Sequence, residues 1–247
     1  MKEIKLLDST DWIVDDLLSR MQDNSFYYGY LNTASLSSSS CKKLLEGIDY
    51  YLGNNKPLDK NLKPLRDGRL IHVTLLENNK LNDYYHFVDV YTRRNKEYKQ
   101  AVNNPEFQNK EIMLTKEKTW AENIVNAVYN NPLAKTLFDG GQYELPGIDY
   151  VQGIPFRAKA DCIQGDTIVD LKTTSDIDSW QYNMDVYGYD MQAYIYCKVF
   201  NKKKFTFVIV DKTTLKVKTY DATPDDLRQG EQKVGEAIAN YIEGVGF

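Results

Sequence analysis

The chain has 247 residues, 42% hydrophobic and 27% charged, the proportions of an ordinary globular protein, which exclude a disordered, collagen-like or fibrous chain. Thirty-one basic residues against 35 acidic ones leave a formal charge of −4, which argues against a nonspecific nucleic-acid binder but leaves room for a local basic patch. Cys41, Cys162 and Cys197 are three in number and far apart, which excludes a disulfide framework, a four-thiolate zinc site and an iron–sulfur cluster, and no apolar run reaches the roughly 18 residues of a membrane helix.

The start, MKEIKLLDSTDW, carries acidic residues and no uninterrupted apolar segment. A secretory signal is therefore not expected, and the expected location is cytoplasmic, or the host cytoplasm for a phage-encoded chain. Residues 1–135 read as mainly helical. "STDWIVDDLLSRMQD" opens on a capping serine or threonine before an amphipathic pattern, and "SLSSSSCKKLLEGIDYYLG" runs to a helix stop at Gly53. "DGRLIHVTLLE" is a shorter helix, and "TKEKTWAENIVNAVYNN" puts Trp120, Ile124, Val125 and Val128 on one face.

From residue 136 onward the period changes to two. "QYELPGIDYV", "IPFRAKADCI" and "TIVDLKT" read as strands, the last two joined through Gly165-Asp166. A helix, "DVYGYDMQAYIYCKVF", follows, then strands "KFTFVIVD" and "KVKTYDA", then a helix from Pro224 to Glu243 with Leu227, Val234, Ile238 and Tyr241 on its apolar side. The expectation is one α/β (α+β) domain over 1–247: a central mixed sheet flanked by helices, with a helical N-terminal part. Basic clusters lie at Arg66 and Arg69, in "RRNKEYK" from Arg93 to Lys99, and at Lys202–Lys204; a solvated face explains each as well as a binding patch does.

Counting outward from the Gly165-Asp166 turn sets Ile163 opposite Ile168, Cys162 opposite Val169 and Asp161 opposite Asp170. Facing side chains stand about 4.5–5.5 Å apart at Cβ, and like charges so placed are destabilising. Alternation adds Lys172 to the same face. Two carboxylates and an ammonium brought together in this way are the pattern of a divalent-cation site, since a cation between the carboxylates relieves their repulsion. Mg²⁺, with its preference for oxygen ligands and substrate phosphate, suits it. The chemistry expected is phosphodiester hydrolysis, with Lys172 orienting or deprotonating the attacking water or neutralising developing charge. Structural ion pairing of Asp161 and Asp170 with Lys172 is the alternative reading of the spacing.

"AD" followed by "IVDLKTT" resembles the D…(D/E)xK signature of the PD-(D/E)xK nuclease superfamily, and further motifs resemble its RecB-like branch, closest to the phage and prophage RecE, or exonuclease VIII, group. "GRLIHVTLLE" supplies Gly68 and His72 in a G-x-x-x-H arrangement, and the resemblance implies that His72 ligates metal with Asp161, Asp170 and the Leu171 carbonyl. "MQAYIY" supplies Gln192 and Tyr196 as Q-x-x-x-Y, and Glu144 in "QYELPG" matches a strand glutamate within reach of the metal. Arg157, Lys159, Arg69 and Thr173 are candidate phosphate contacts, and Ser37, Ser39 and Lys42 at a helix start are a candidate anchor for a terminal 5′ phosphate. The resemblance covers nearly everything from Ser35 on. It implies a Mg²⁺-dependent 5′→3′ exonuclease, with Mn²⁺ substituting, acting on double-stranded DNA ends. It also implies a ring-shaped homo-oligomer that leaves a 3′ strand for a RecT-like annealing protein. A structure-specific or restriction-like endonuclease and a noncatalytic DNA-binding recombination protein are the alternatives.

Overall fold

The computed structural model describes residues 2–53 and 62–245. The chain begins with β1 (Glu3–Lys5) and β2 (Asp11–Ile13), then α1 (Val14–Arg20), α2 (Asn24–Tyr28), α3 (Tyr30–Ala34), α4 (Ser38–Glu46) and α5 (Ile48–Tyr51). Next come α6 (Lys63–Leu76), α7 (Leu81–Tyr84), β3 (Tyr85–Val88), α8 (Lys96–Val102), β4 (Glu111–Leu114), α9 (Thr115–Asn130) and α10 (Pro132–Phe138). The second half is β5 (Gln142–Val151), β6 (Ile154–Gln164), β7 (Thr167–Thr174), α11 (Trp180–Val186), α12 (Tyr189–Val199), β8 (Lys204–Asp211), β9 (Val217–Asp221) and α13 (Pro224–Val245).

The central sheet has the order β5-β6-β7-β8-β9. It is antiparallel from β5 to β7, parallel between β7 and β8, and antiparallel again at β9. The one parallel pair needs a long crossover, and α11 and α12 supply it. One face is covered by α4, α12 and α13 over a core that includes Phe156, Phe205, Phe207 and Ile195. The other is covered by α6, α9 and α10, over Val169, Leu171, Val208 and Val210. Covered on both faces, β8 is buried from Phe205 to Asp211 and carries the apolar run Phe207–Val210. A third cluster joins β1, β2 and α1–α3 to β5 through Ile148.

The helical reading of residues 1–135 needs three corrections. Trp12 pairs with Ile4 in a hairpin, so α1 starts only at Val14; the Asp8 carboxylate takes the Thr10 N–H at 3.1 Å and sets the turn. The helix expected to run to Gly53 breaks at Gly47, whose φ of 135° lies outside the helical region. The short strands β3 and β4, four residues each, pair in parallel around α8 and lack an alternating pattern to announce them.

The expected register of β6 on β7 is present: Ile163 faces Ile168 and Cys162 faces Val169. Among the described residues the ladder then stops. One step further, the Asp161 carboxylate accepts the Leu171 N–H at 2.8 Å in place of a main-chain bond. The two strands fork, so Asp161 and Asp170 are neighbours across a fork, not partners in a regular ladder. The edge of β6 beyond the fork is taken by Leu36, whose N–H donates to Pro155 O and whose carbonyl accepts from Arg157 N, both at 2.9 Å. That docking carries the start of α4 to the mouth of the fork.

Candidate active site

The fork opens into a cleft of about 1390 Å³, lined by residues from α2, α4, α6, β5–β7 and the α11–α12 segment. Each carboxylate is held from a different helical layer. His72, on α6, brings Nδ1 to 3.4 Å from Asp161 Oδ2. Gln192, on α12, donates from Nε2 to Asp170 Oδ1 at 2.6 Å. Lys172 Nζ stands 2.5 Å from Asp170 Oδ2 and 4.7 Å from the centre of the Tyr189 ring. That oxygen of Asp170 is buried, and despite the ion pair it receives no well-angled hydrogen bond.

Burial raises the Asp161 carboxyl well above the usual range, the nearby Asp170 charge pushes it further, and Lys172 and the Leu171 N–H only partly offset this. Burial also raises Glu144, assisted by Asp161. For His72, burial lowers the imidazole, so the neutral ring is favoured. Burial opposes the Lys172 ammonium as well, but Asp170, Tyr189 and Asp161 outweigh it and the net direction is upward. The fork therefore holds more negative charge than its own groups neutralise comfortably.

Glu144 reaches the site through a break in its own strand. Tyr143 pairs with Cys162 and Leu145 with Ala160, but Glu144 has φ of 51° and drops out of the ladder opposite Asp161. A left-handed non-glycine residue costs about 1–3 kcal/mol and is found where surroundings over-determine it. Here the break lets Glu144 Oε2 meet Lys159 Nζ at 3.3 Å, while Lys159 also reaches Asn24 Oδ1 at 3.1 Å.

The remaining candidate positions separate. Ser37, Ser39, Arg69 and Thr173 line the cleft. Ser37 caps α4, taking the Ser40 N–H at 3.2 Å, and its hydroxyl lies 3.0 Å from that of Ser39. Lys42, one turn along α4, stacks over Tyr187 at 5.6 Å, and burial lowers its ammonium. Arg69 pairs with Glu111 at 3.4 Å. Tyr196 lines the cleft from α12, and burial holds its phenol far above the usual range. Arg157, expected beside a phosphate, is buried: Nη1 donates to the carbonyls of Leu31 and Ser35 at 2.7 and 2.8 Å and Nη2 to Asn32. It ties α3 to the sheet.

Tyr189 is the residue that the motif reading missed. It precedes Gln192 by three and Tyr196 by seven, so all three share one face of α12. That spacing, Y-x-x-Q-x-x-x-Y, was available in the sequence as a longer stripe than Q-x-x-x-Y.

Among the described residues no three His, Cys, Asp or Glu side chains converge as a ready-made metal cluster. The donors nonetheless fit a hard divalent cation: two carboxylates under repulsion, a neutral-favouring imidazole, the Leu171 backbone that lines the cleft between the two aspartates, and a buried Asp170 oxygen without a hydrogen bond. His72 and Lys172 now supply the positive or donor partners that such an ion would provide.

Comparison with known proteins bears on this geometry. The model of the PDDEXK-like domain of unknown function (DUF3799) matches residues 37–244. No curated protein matches. A solved structure from Eubacterium rectale, named provisionally as an exonuclease, superposes with a TM-score of 0.63 at 17% identity, over 90% of this chain and 86% of that one. A phage-related exonuclease from Haemophilus somnus 129PT gives a TM-score of 0.37 at 13% identity, over 85% and 95% of the two chains. The sheet order, the fork with its Asp161, Asp170 and Lys172, and the family match over residues 37–244 together place the chain in the PDDEXK-like family DUF3799, on a PD-(D/E)xK nuclease fold.

Proposed function

We propose that this chain is a divalent-metal-dependent DNA exonuclease, acting 5′→3′ from the ends of linear duplex DNA. The observation that carries the reading is the fork itself, where Asp161, Asp170, His72 and Lys172 meet at the wall of a cleft with nucleotide-scale room. Asp161, Asp170, His72 and the Leu171 carbonyl would hold Mg²⁺ or Mn²⁺. When bound, the ion polarises the scissile phosphate and acidifies water.

The chain's own groups do the rest. Lys172, favoured as an ammonium, donates to the attacking water or to a phosphate oxygen and neutralises charge as the P–O bond to the leaving 3′ oxygen breaks. Gln192 fixes Asp170 from behind, and the Leu171 N–H fixes Asp161, so neither carboxylate has to reorganise. Ser37 and Ser39, with the exposed N–H groups at the start of α4, suit a phosphate group at the cleft mouth. Polarity, a ring assembly, a RecT-like annealing partner and a cytoplasmic setting belong to the same RecE-like reading.

The test is duplex DNA labelled at either the 5′ or the 3′ end, with and without a 5′ phosphate, in parallel with covalently closed circular DNA. Early release of 5′-labelled mononucleotide with Mg²⁺, and an intact circle, is the expected result. Nicking of the circle assigns an endonuclease; no metal-stimulated release from any substrate overturns nuclease activity.

A further inference from the structure

Outside the cleft, a cationic groove stands without carboxylate partners among the described residues. Arg94, Lys96, Lys99, Gln100 and Asn103 line a shallow groove of about 470 Å³ on the outer face of α8. All five are exposed. Lys96, Lys99, Gln100 and Asn103 follow helical spacing along one stripe, whereas Ala101, on another side, is buried against the body. With Arg94, which precedes α8, the groove is lined by three cations and two amides and no acid; Glu97 lies off it.

Several other cations of this half of the chain are paired with carboxylates. Arg66 and Arg93 share Glu117 at 3.3 and 2.7 Å, Arg69 meets Glu111, Lys63 meets Asp67 and Lys80 meets Glu77. None of Arg94, Lys96 and Lys99 has a carboxylate partner among the described residues. In a chain whose formal charge is −4, this groove brings three such cations together beside two amides.

The patch is also tied to the reaction centre. Glu117 accepts from Arg93, the residue before Arg94, and from Arg66 on α6, the helix that carries His72. α8 packs on β4, whose first residue, Glu111, lines the cleft wall. We infer that the outer face of α8 is a second DNA contact, which holds the sugar-phosphate backbone of the duplex away from the scissile bond through Arg94, Lys96 and Lys99, with Gln100 and Asn103 as neutral hydrogen-bonding partners. This rests on the DNA reading of the cleft and adds a site to it. Such a contact reads charge and not sequence, so it acts on affinity and residence, not on bond cleavage.

The experiment is a salt titration of duplex binding by fluorescence anisotropy, in the full chain carrying Asp170→Asn so that DNA is not consumed in Mg²⁺. The triple variant Arg94→Ala, Lys96→Ala, Lys99→Ala is compared with its parent and with a Lys203→Ala, Lys204→Ala control at two exposed lysines elsewhere. Each lost phosphate contact lowers the slope of log K against log salt by about 0.9, so the triple variant is expected to lose about 2–3 from the slope and the control nothing. In the active chain the same triple variant should raise KM with kcat unchanged. An unchanged slope in the triple variant, or an equal loss in the control, overturns the α8 contact and leaves the nuclease reading standing. Failure of the parent to bind duplex at all overturns both.

Discussion

Asp161 is the residue on which the chemistry turns. Because burial and the neighbouring Asp170 hold its carboxyl high, the folded, metal-free chain binds that proton more tightly than the unfolded chain. Its contribution to stability is present below the ordinary Asp range and is lost as pH rises toward the folded value. Asp161→Asn should therefore stabilise the metal-free protein at neutral pH, by at least about 1 kcal/mol on the scale of a tenfold change in proton affinity. The gain should shrink as pH falls from the raised folded value toward the ordinary Asp range at about 4, and should be absent below it. Thermal unfolding against pH reads both, and a destabilised Asp161→Asn at pH 7 contradicts the assignment of repulsion. Asp161→Asn, Asp170→Asn and Lys172→Gln should each lower turnover by about 100–1000-fold, comparable with losing a principal charge-stabilising group. Gln192→Ala, which removes only the support of Asp170, should cost about 10–100-fold in metal affinity or activity. Gly68 separates room from rigidity. A Cβ there meets only Thr173 Oγ1, at 4.0 Å, and Gly68 sits inside α6 facing the cleft. Gly68→Ala should gain about 0.5–1 kcal/mol of stability and lose activity through crowding of the substrate's approach; full activity would leave the glycine without a role in the cleft.

At the scale of elements, the site is a product of strands that part company. β6 and β7 pair only as far as Cys162 and Val169, and the free edge of β6 is then occupied by Leu36. The hairpin register was legible because the Gly165-Asp166 turn and the apolar pairs beyond it admit one alignment. The fork was not, because it depends on a segment more than 100 residues away docking on β6, and on Asp161 exchanging a ladder bond for the Leu171 N–H. Arg157 failed to read as a buried residue for a related reason: its partners are carbonyls of Leu31 and Ser35, which no side-chain pattern advertises. His72 and Gln192 were legible through motif resemblance, whereas Tyr189 needed the longer stripe on α12 to be noticed. The helix that presents that stripe is pinned by α13 at Gly230, where an added Cβ would stand 2.3 Å from the Asp190 carbonyl oxygen. Gly230→Ala should cost about 1–3 kcal/mol as an overpacking substitution, and should lower activity by displacing Gln192; unaltered stability in denaturant titration would show that α12 and α13 can separate without cost.

For the whole molecule, two apolar cores clamp the sheet from either side, and each core's helices deliver one support to the fork: α6 brings His72 to Asp161 and α12 brings Gln192 to Asp170. The acidic balance of the chain is compatible with a nucleic-acid substrate because three cations without carboxylate partners line one groove at α8 and carboxylate charge is gathered where a cation would neutralise it. No helix among the described residues is long and apolar enough to cross a membrane. The central claim is that the fork tolerates its two carboxylates by binding a divalent ion. Anomalous diffraction from crystals soaked in Mn²⁺ tests it most directly: the account predicts a peak bounded by Asp161, Asp170, His72 and the Leu171 carbonyl, and its absence from crystals of the Asp170→Asn variant. A fork without a peak in the wild-type crystals, or a peak whose ligands exclude both aspartates, contradicts it.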